Sequence, residues 1–300
     1  LHLHLDGSLR LDSLIDMAAR SKLVLPSNSV AGLKELVFKD HYQNLGEYLH
    51  CFQYTCGVLR DMENLEQAAY ELAIDNQLEG VNYIEVRFAP QLLMDLPSGI
   101  DFDRVMHTVN NGLKRAQQEY NQSALVQQGE RPPFAYGIIN CAMRMFNGKG
   151  FSPYYTNLFQ LMRDFEPMQV IRLAAMELVR ASVRLRDEEG VPIVALDLAG
   201  QESGYPAHNF KEVYEYAHQH FLLKTLHAGE AYGAESVFEA ITECYADRIG
   251  HGYSMFIPEM IRDSQIADKE RYIRELASYI ADKRIAIEVC LTSNLQTNPA

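Results

Sequence analysis

The feature that most constrains the fold is a repetition. Short apolar runs and stretches of helical spacing alternate seven times in one order along the chain. The runs are Leu1–Gly7, Val81–Phe88, Phe134–Cys141, Pro192–Leu198, Phe221–Leu226, Asp247–Ile249 and Ile285–Cys290. The first, Leu-His-Leu-His-Leu-Asp-Gly, alternates apolar and polar residues with the period of two that marks a strand. Helical spacing recurs between the runs, at Asp101–Gln118, in a long segment ending at Arg186, and at Phe210–Phe221, Ala234–Tyr245 and Lys269–Ala281. Strands joined through helices in this order imply a parallel sheet. No Gly-x-Gly-x-x-Gly follows the first run, which disfavours a dinucleotide-binding sheet.

Residues 8–80 are too many for one crossover helix. Asn64 with Gln67 resembles a capping box, apolar positions 65, 68, 69, 72 and 73 follow, and Gly80 is a helix stop. Extra helices here are expected to cover the mouth of a site. Leu45, Tyr48, Leu49 and Phe52 form an apolar stripe that reads first as core and second as a pocket wall. Glu85 and Arg87 read as members of a structural ion pair, and Tyr120–Pro133 and Asn147–Pro153 as loops. The polar residues at strand C-terminal ends are His2, His4, Asp197, His227 and His251. Active sites of (β/α)8 barrels gather at that rim, so the expected fold is an α/β TIM-type (β/α)8 barrel with extra helices over its C-terminal mouth.

Composition bounds the function. Residues 1–300 suffice for a single domain with a full core. A net charge of −13 makes nucleic acid and anionic membrane poor partners, because polyanion binding rests on Lys and Arg. No apolar run reaches the roughly 18 residues of a membrane span. Cys51, Cys56, Cys141, Cys244 and Cys290 are scattered and odd in number, which fits reduced thiols of a cytoplasmic enzyme better than a disulfide framework. Oligomeric state is left open.

The histidines carry the chemistry. In a strand His2 and His4 share a face, about 6–7 Å apart along the backbone, a separation one metal ion can bridge. Leu1, Leu3 and Leu5 form the opposite face, so the histidines meet either water or an interior cavity. The pair His218 and His220 has the same spacing but lies in a helical segment, where residues two apart diverge, and is expected at the surface. Leu222–Glu230 ends a buried strand in His-Ala-Gly-Glu. Alone, that stretch is as readily a polar loop as a site; several histidines converging on one rim favour the site. His2, His4 and His227 supply three neutral nitrogens, a set that suits zinc with water completing the shell. His251 can orient that water or take its proton, and Glu230 in its acid form can donate one.

Four motifs in order, Leu-His-Leu-His-Leu-Asp-Gly, Asp-Leu-Ala-Gly, Leu-His-Ala-Gly-Glu and Gly-His-Gly, resemble the adenosine deaminase family of metal-dependent amidohydrolases, from residue 1 to about 297. The resemblance implies one zinc ion per chain on His2, His4 and His227, with Glu230 as proton donor to the purine ring and His251 activating the water. It implies substrate contacts from His4, Asp6, which would bind the ribose 5′-hydroxyl, and the Gly200 N–H, which would meet purine N3. The implied reaction is hydrolytic deamination of adenosine or deoxyadenosine to inosine and ammonia in purine salvage. Adenine or a modified adenosine is the alternative substrate, and an impaired nucleoside-binding relative the alternative class. A barrel of this type needs eight strands and seven are readable. The resemblance expects an eighth, ending in an Asp pair of which the first would be a zinc ligand. None of the ten residues after Cys290 is acidic. The expectation is therefore a chain truncated at both ends, with strands one and seven unpaired and zinc held weakly by three histidines; a signal peptide before Leu1 stays open.

Overall fold

The computed structural model describes residues 1–43, 45–146 and 151–297. Its centre is one curled parallel sheet of seven strands in sequential order, β1 to β7. These are β1 (Leu3–His4), β2 (Tyr83–Phe88), β3 (Ala135–Met143), β4 (Ile193–Ala199), β5 (Leu223–Ala228), β6 (Arg248–His251) and β7 (Ala286–Glu288). Every neighbouring pair is parallel, as the helical connections require. This is the TIM-type barrel without an eighth strand among the described residues. There β1 and β7 do not pair with each other through their backbones.

On β2 one face is apolar and the other is charged. Ile84, Val86 and Phe88 of β2 are buried in the hydrophobic core, while Glu85 and Arg87 alternate into the barrel. The expected ion pair exists with other partners. Glu85 pairs with Arg248 across the barrel, and Arg87 pairs with Asp197 and Glu288. Residues two apart on a strand share a face but need not meet, and here each finds a longer reach across the interior.

The described residues of the stretch 8–80 hold five helices, Leu11–Arg20, Val30–Leu36, Leu45–Leu49, Phe52–Leu59 and Met62–Leu78. The last is capped by Asp61, whose carboxylate accepts from the N–H groups of Glu63 and Asn64, not by Asn64. Asn64 is instead buried, donating to Val58 O and Ser21 and accepting from Arg20. Gly80 follows the helix with φ +82°, as a stop should. The long helical segment before Arg186 is two helices, Pro153–Leu161 and Pro167–Glu189. Pro167 cannot continue a helix but opens one, and Glu166 with Gln169 makes the capping box there. The polar stretch 120–133 contains one further helix, Ala124–Gln127, and residues 147–150 of the other expected loop lie outside the described residues. No helix among the described residues is long and apolar enough to cross a membrane.

Candidate active site

The strand ends of the barrel converge on one cleft of about 710 Å³. His2, His4, Asp6, Gly200, His227, Glu230 and His251 all line it. Sequence separations of up to 249 residues collapse to a few ångströms because the C-terminal ends of β1, β4, β5 and β6 meet at the same rim.

At the floor, His4 Nε2 lies 3.2 Å from His2 Nε2 and 3.2 Å from His227 Nε2. Nitrogens on a tetrahedral zinc about 2.05 Å away would stand about 3.3 Å apart, so the spacing fits a shared cation. Burial lowers the pKa of all three rings, that of His227 to about 4, so each offers a lone pair. Two are aimed from behind. His2 Nδ1 lies 2.9 Å from Glu288 Oε2, and His227 Nδ1 lies 3.0 Å from Asp197 Oδ2. A carboxylate on Nδ1–H fixes the tautomer and turns the Nε2 lone pair inward, the usual support of a metal-binding imidazole.

Those carboxylates are held ionised. Burial opposes the charge on Asp197, but His227 and Arg87 overrule it and its pKa sits well below the usual range. Burial likewise opposes Glu288, yet the His2 hydrogen bond with Arg87 and Arg248 brings it to about 2. Arg87, fully buried, donates to Asp197 at 3.0 Å and to Glu288 at 2.6 Å, so one guanidinium ties the supports of two histidines together. Arg87 as a tie and Glu288 were not singled out by sequence reading. The only signal was a lone acid in the apolar run Ile285–Cys290.

Above the histidines stand Glu230 and His251, with His251 Nε2 3.8 Å from Glu230 Oε1. Burial opposes a charge on His251, but Glu230, Cys290 and Asn294 outweigh it and raise its pKa to about 9. A cation at the three histidines would act in the opposite sense. His251 holds φ +69°, a left-handed conformation uncommon for a side chain with Cβ, and such strain persists where surrounding packing over-determines it. The glycines beside it leave room: a Cβ on Gly250 would lie 2.9 Å from His2 Cε1. Gly229, at φ +72°, makes the sharp turn between His227 and Glu230.

Asp6 stands beside His4, its Oδ1 3.9 Å from His4 Nδ1 and without a hydrogen bond, and it is 7% exposed, with burial raising its pKa to about 7. Tyr48, Leu49 and Phe52 line the cleft with Phe146 and Phe151, and Tyr48 and Phe52 also pack against the core, so the stripe is core on one side and pocket wall on the other. The side chain of Leu45 lies outside the described residues. His218 and His220 stay far from the cleft, stacked on Tyr245 and Tyr216 on the outer helix Lys211–Gln219 and its end.

The sequence matches the adenosine deaminase family over residues 1–299. It is 33% identical to an adenosine deaminase of Mycobacterium bovis over 308 aligned positions, spanning 99% of this chain and 70% of that protein. The structure superposes on adenine deaminase from Arthrobacter aurescens with a TM-score of 0.70 at 19% identity, covering 100% of this chain and 73% of the other. It also superposes on a Burkholderia ambifaria amidohydrolase with bound zinc, with a TM-score of 0.69 at 18% identity, covering 99% and 66%. The family is one of metal-dependent amidohydrolases whose members are hydrolytic deaminases. With a third of its residues shared across nearly its whole length, and its rim built from the strand ends those motifs occupy, this chain belongs to the adenosine deaminase family.

Proposed function

We propose that this protein hydrolyses adenosine to inosine and ammonia with one zinc ion held by His2, His4 and His227. The observation that carries the reading is the convergence of three imidazole nitrogens beside Glu230 and His251, His4 Nε2 lying 3.2 Å from each of the other two and all three within 4.8 Å of one another. When bound there, zinc supplies a Lewis acid that makes water a nucleophile near neutral pH. The chain's own residues do the rest. Glu230 gives a proton to the ring nitrogen beside the carbon that carries the amino group, which lowers the cost of adding water across that bond. His251 orients the water and takes its proton. The Gly200 N–H donates to purine N3, and the apolar walls Phe52, Phe146 and Phe151 cover the base and exclude bulk water.

Asp6 sets the substrate's other end. Its partnerless Oδ1 supports a hydrogen bond accepted from the ribose 5′-hydroxyl. No Lys or Arg is among the described residues lining the cleft, so no side-chain cation of that kind pairs with a 5′-phosphate there, which favours a nucleoside over a nucleotide. Adenine deamination is the second reading, favoured only by likeness of fold. Ammonia release from adenosine, deoxyadenosine, adenine and the 5′-monophosphate, with zinc measured per chain, tests the proposal. A kcat/KM for adenine equal to or above that for adenosine overturns it.

A further inference from the structure

The proposal of Glu230 as proton donor leaves open what holds it in place, and the inference here rests on that reading. We propose that Glu202 is a positioning residue for Glu230, holding the turn that carries the acid and locking it to the loop that bears Gly200. Glu202 follows β4, two residues past Gly200, and is 1% exposed. Its Oε1 accepts from the Gly229 N–H at 3.0 Å and from the Ser236 hydroxyl at 2.5 Å. Its Oε2 accepts from the N–H groups of Glu230 at 3.0 Å, Ala231 at 2.5 Å and Tyr232 at 3.2 Å. Four consecutive backbone donors thus close on one carboxylate, with no cation among its hydrogen-bonded partners in the described residues.

That arrangement does more than satisfy a loop. Water could serve any one of these N–H groups, but only a fixed acceptor makes all four point at one place. Ser236 belongs to the helix Ala234–Glu243, so the carboxylate also sits at that helix's positive end. The far side of the Glu202 loop is pinned as well. Arg144 donates to Tyr205 O at 2.6 Å and to His227 O at 2.5 Å. The loop that offers Gly200 to the base and the turn that offers Glu230 to the same base are therefore one mechanical unit. Displacing a reacting group by about 1 Å costs on the order of 100-fold in rate.

The test is a double-mutant cycle with Glu202→Gln and Glu230→Gln. Glutamine keeps the shape, but its NH2 accepts nothing, so one or more of the turn's N–H groups loses its acceptor whichever way the amide faces. The expected result for E202Q is a kcat lowered roughly 10–100-fold with KM within about threefold and zinc content unchanged. In the E230Q background the same change is expected to cost less than about twofold, because a group acting through Glu230 has nothing left to position. Equal losses in both backgrounds, or an E202Q enzyme at full rate, overturn the proposal while leaving Glu230 as the acid. E230Q at full rate overturns both. If E202Q shows no cooperative melt, Ser236→Ala carries the same cycle with an expected loss of about 2–5-fold. A loss confined to the Glu230 background supports the proposal, and a loss equal in both, or none, overturns it.

Discussion

Replacing Arg87 by Met is the perturbation whose consequence follows most directly from the structure. Arg87 is fully buried and bridges Asp197, Glu288 and the Leu1 carbonyl. Met fills a similar volume and supplies no charge. Glu288 would keep Arg248, whose Nε lies 2.9 Å from Oε1, and His2. Asp197 would lose the only guanidinium that it meets among the described residues, keeping the Leu198 N–H at 2.7 Å and His227 Nδ1. The damage therefore concentrates on the Asp197–His227 pair. Removing one partner of a buried ion pair costs about 3–5 kcal/mol, because the other charge stays behind desolvated. At about 2–4 °C per kcal/mol for a large domain, the metal-free protein should melt on the order of 10 °C lower. An unneutralised Asp197 takes up a proton more readily and then orients His227 less well. Zinc affinity should fall about 10–100-fold, the usual effect of losing an outer partner of a ligand. Arg87→Lys should fall between, since one ammonium cannot serve two carboxylates in the fixed fork of a guanidinium. Thermal unfolding in the presence of chelator, together with zinc competition against a chromophoric chelator, measures both terms. An R87M protein melting within about 2 °C of wild type, with zinc affinity within about twofold, would refute the argument that this guanidinium holds the site together.

Three further outcomes are expected. His2→Ala or His227→Ala should abolish stoichiometric zinc, while His218→Ala and His220→Ala should keep it, which metal analysis of the purified variants checks; zinc retained by His2→Ala defeats the shared-face argument. Asp6→Ala should reduce kcat/KM for adenosine by roughly 0.5–3 kcal/mol, the upper part of that range where the carboxylate is ionised, and leave adenine nearly untouched, since adenine has no ribose. Equal losses on the two substrates move Asp6 into a structural role. Gly250→Ala places a methyl 2.9 Å from the His2 ring, so it should displace that ring and weaken zinc without removing any ligand; an alanine variant with wild-type zinc affinity shows that His2 can shift at no cost.

Periodicity made much of this molecule legible from its sequence. The alternation of apolar runs and helical stretches gives parallel strands in sequential order, because a strand-helix-strand connection leaves few other arrangements. The period of two in Leu1–Gly7 was enough to put His2 and His4 on one face, and helical spacing was enough to send His218 and His220 to the surface. These are local facts, fixed by backbone geometry within a few residues. Strand ends were legible too, so the rim carrying His227, Glu230 and His251 could be named in advance.

The partners of buried charges were not legible. Arg87 meets Asp197 across 110 residues and Glu288 across 201, and nothing near Arg87 in the chain says which strands will face it inside a curled sheet. The adjacent Glu85 was the natural local candidate, yet it pairs with Arg248, 163 residues away. The same holds for Glu202, which in sequence is one acid in a polar loop and in space is the acceptor for a whole turn. It holds also for Tyr48, Leu49 and Phe52, where helical spacing announces an apolar face but cannot say whether that face meets a core or a cleft. Spacing fixes which residues look the same way; only the closing of the sheet decides what they look at, because that depends on contacts between segments whose separation along the chain carries no information about their distance in space.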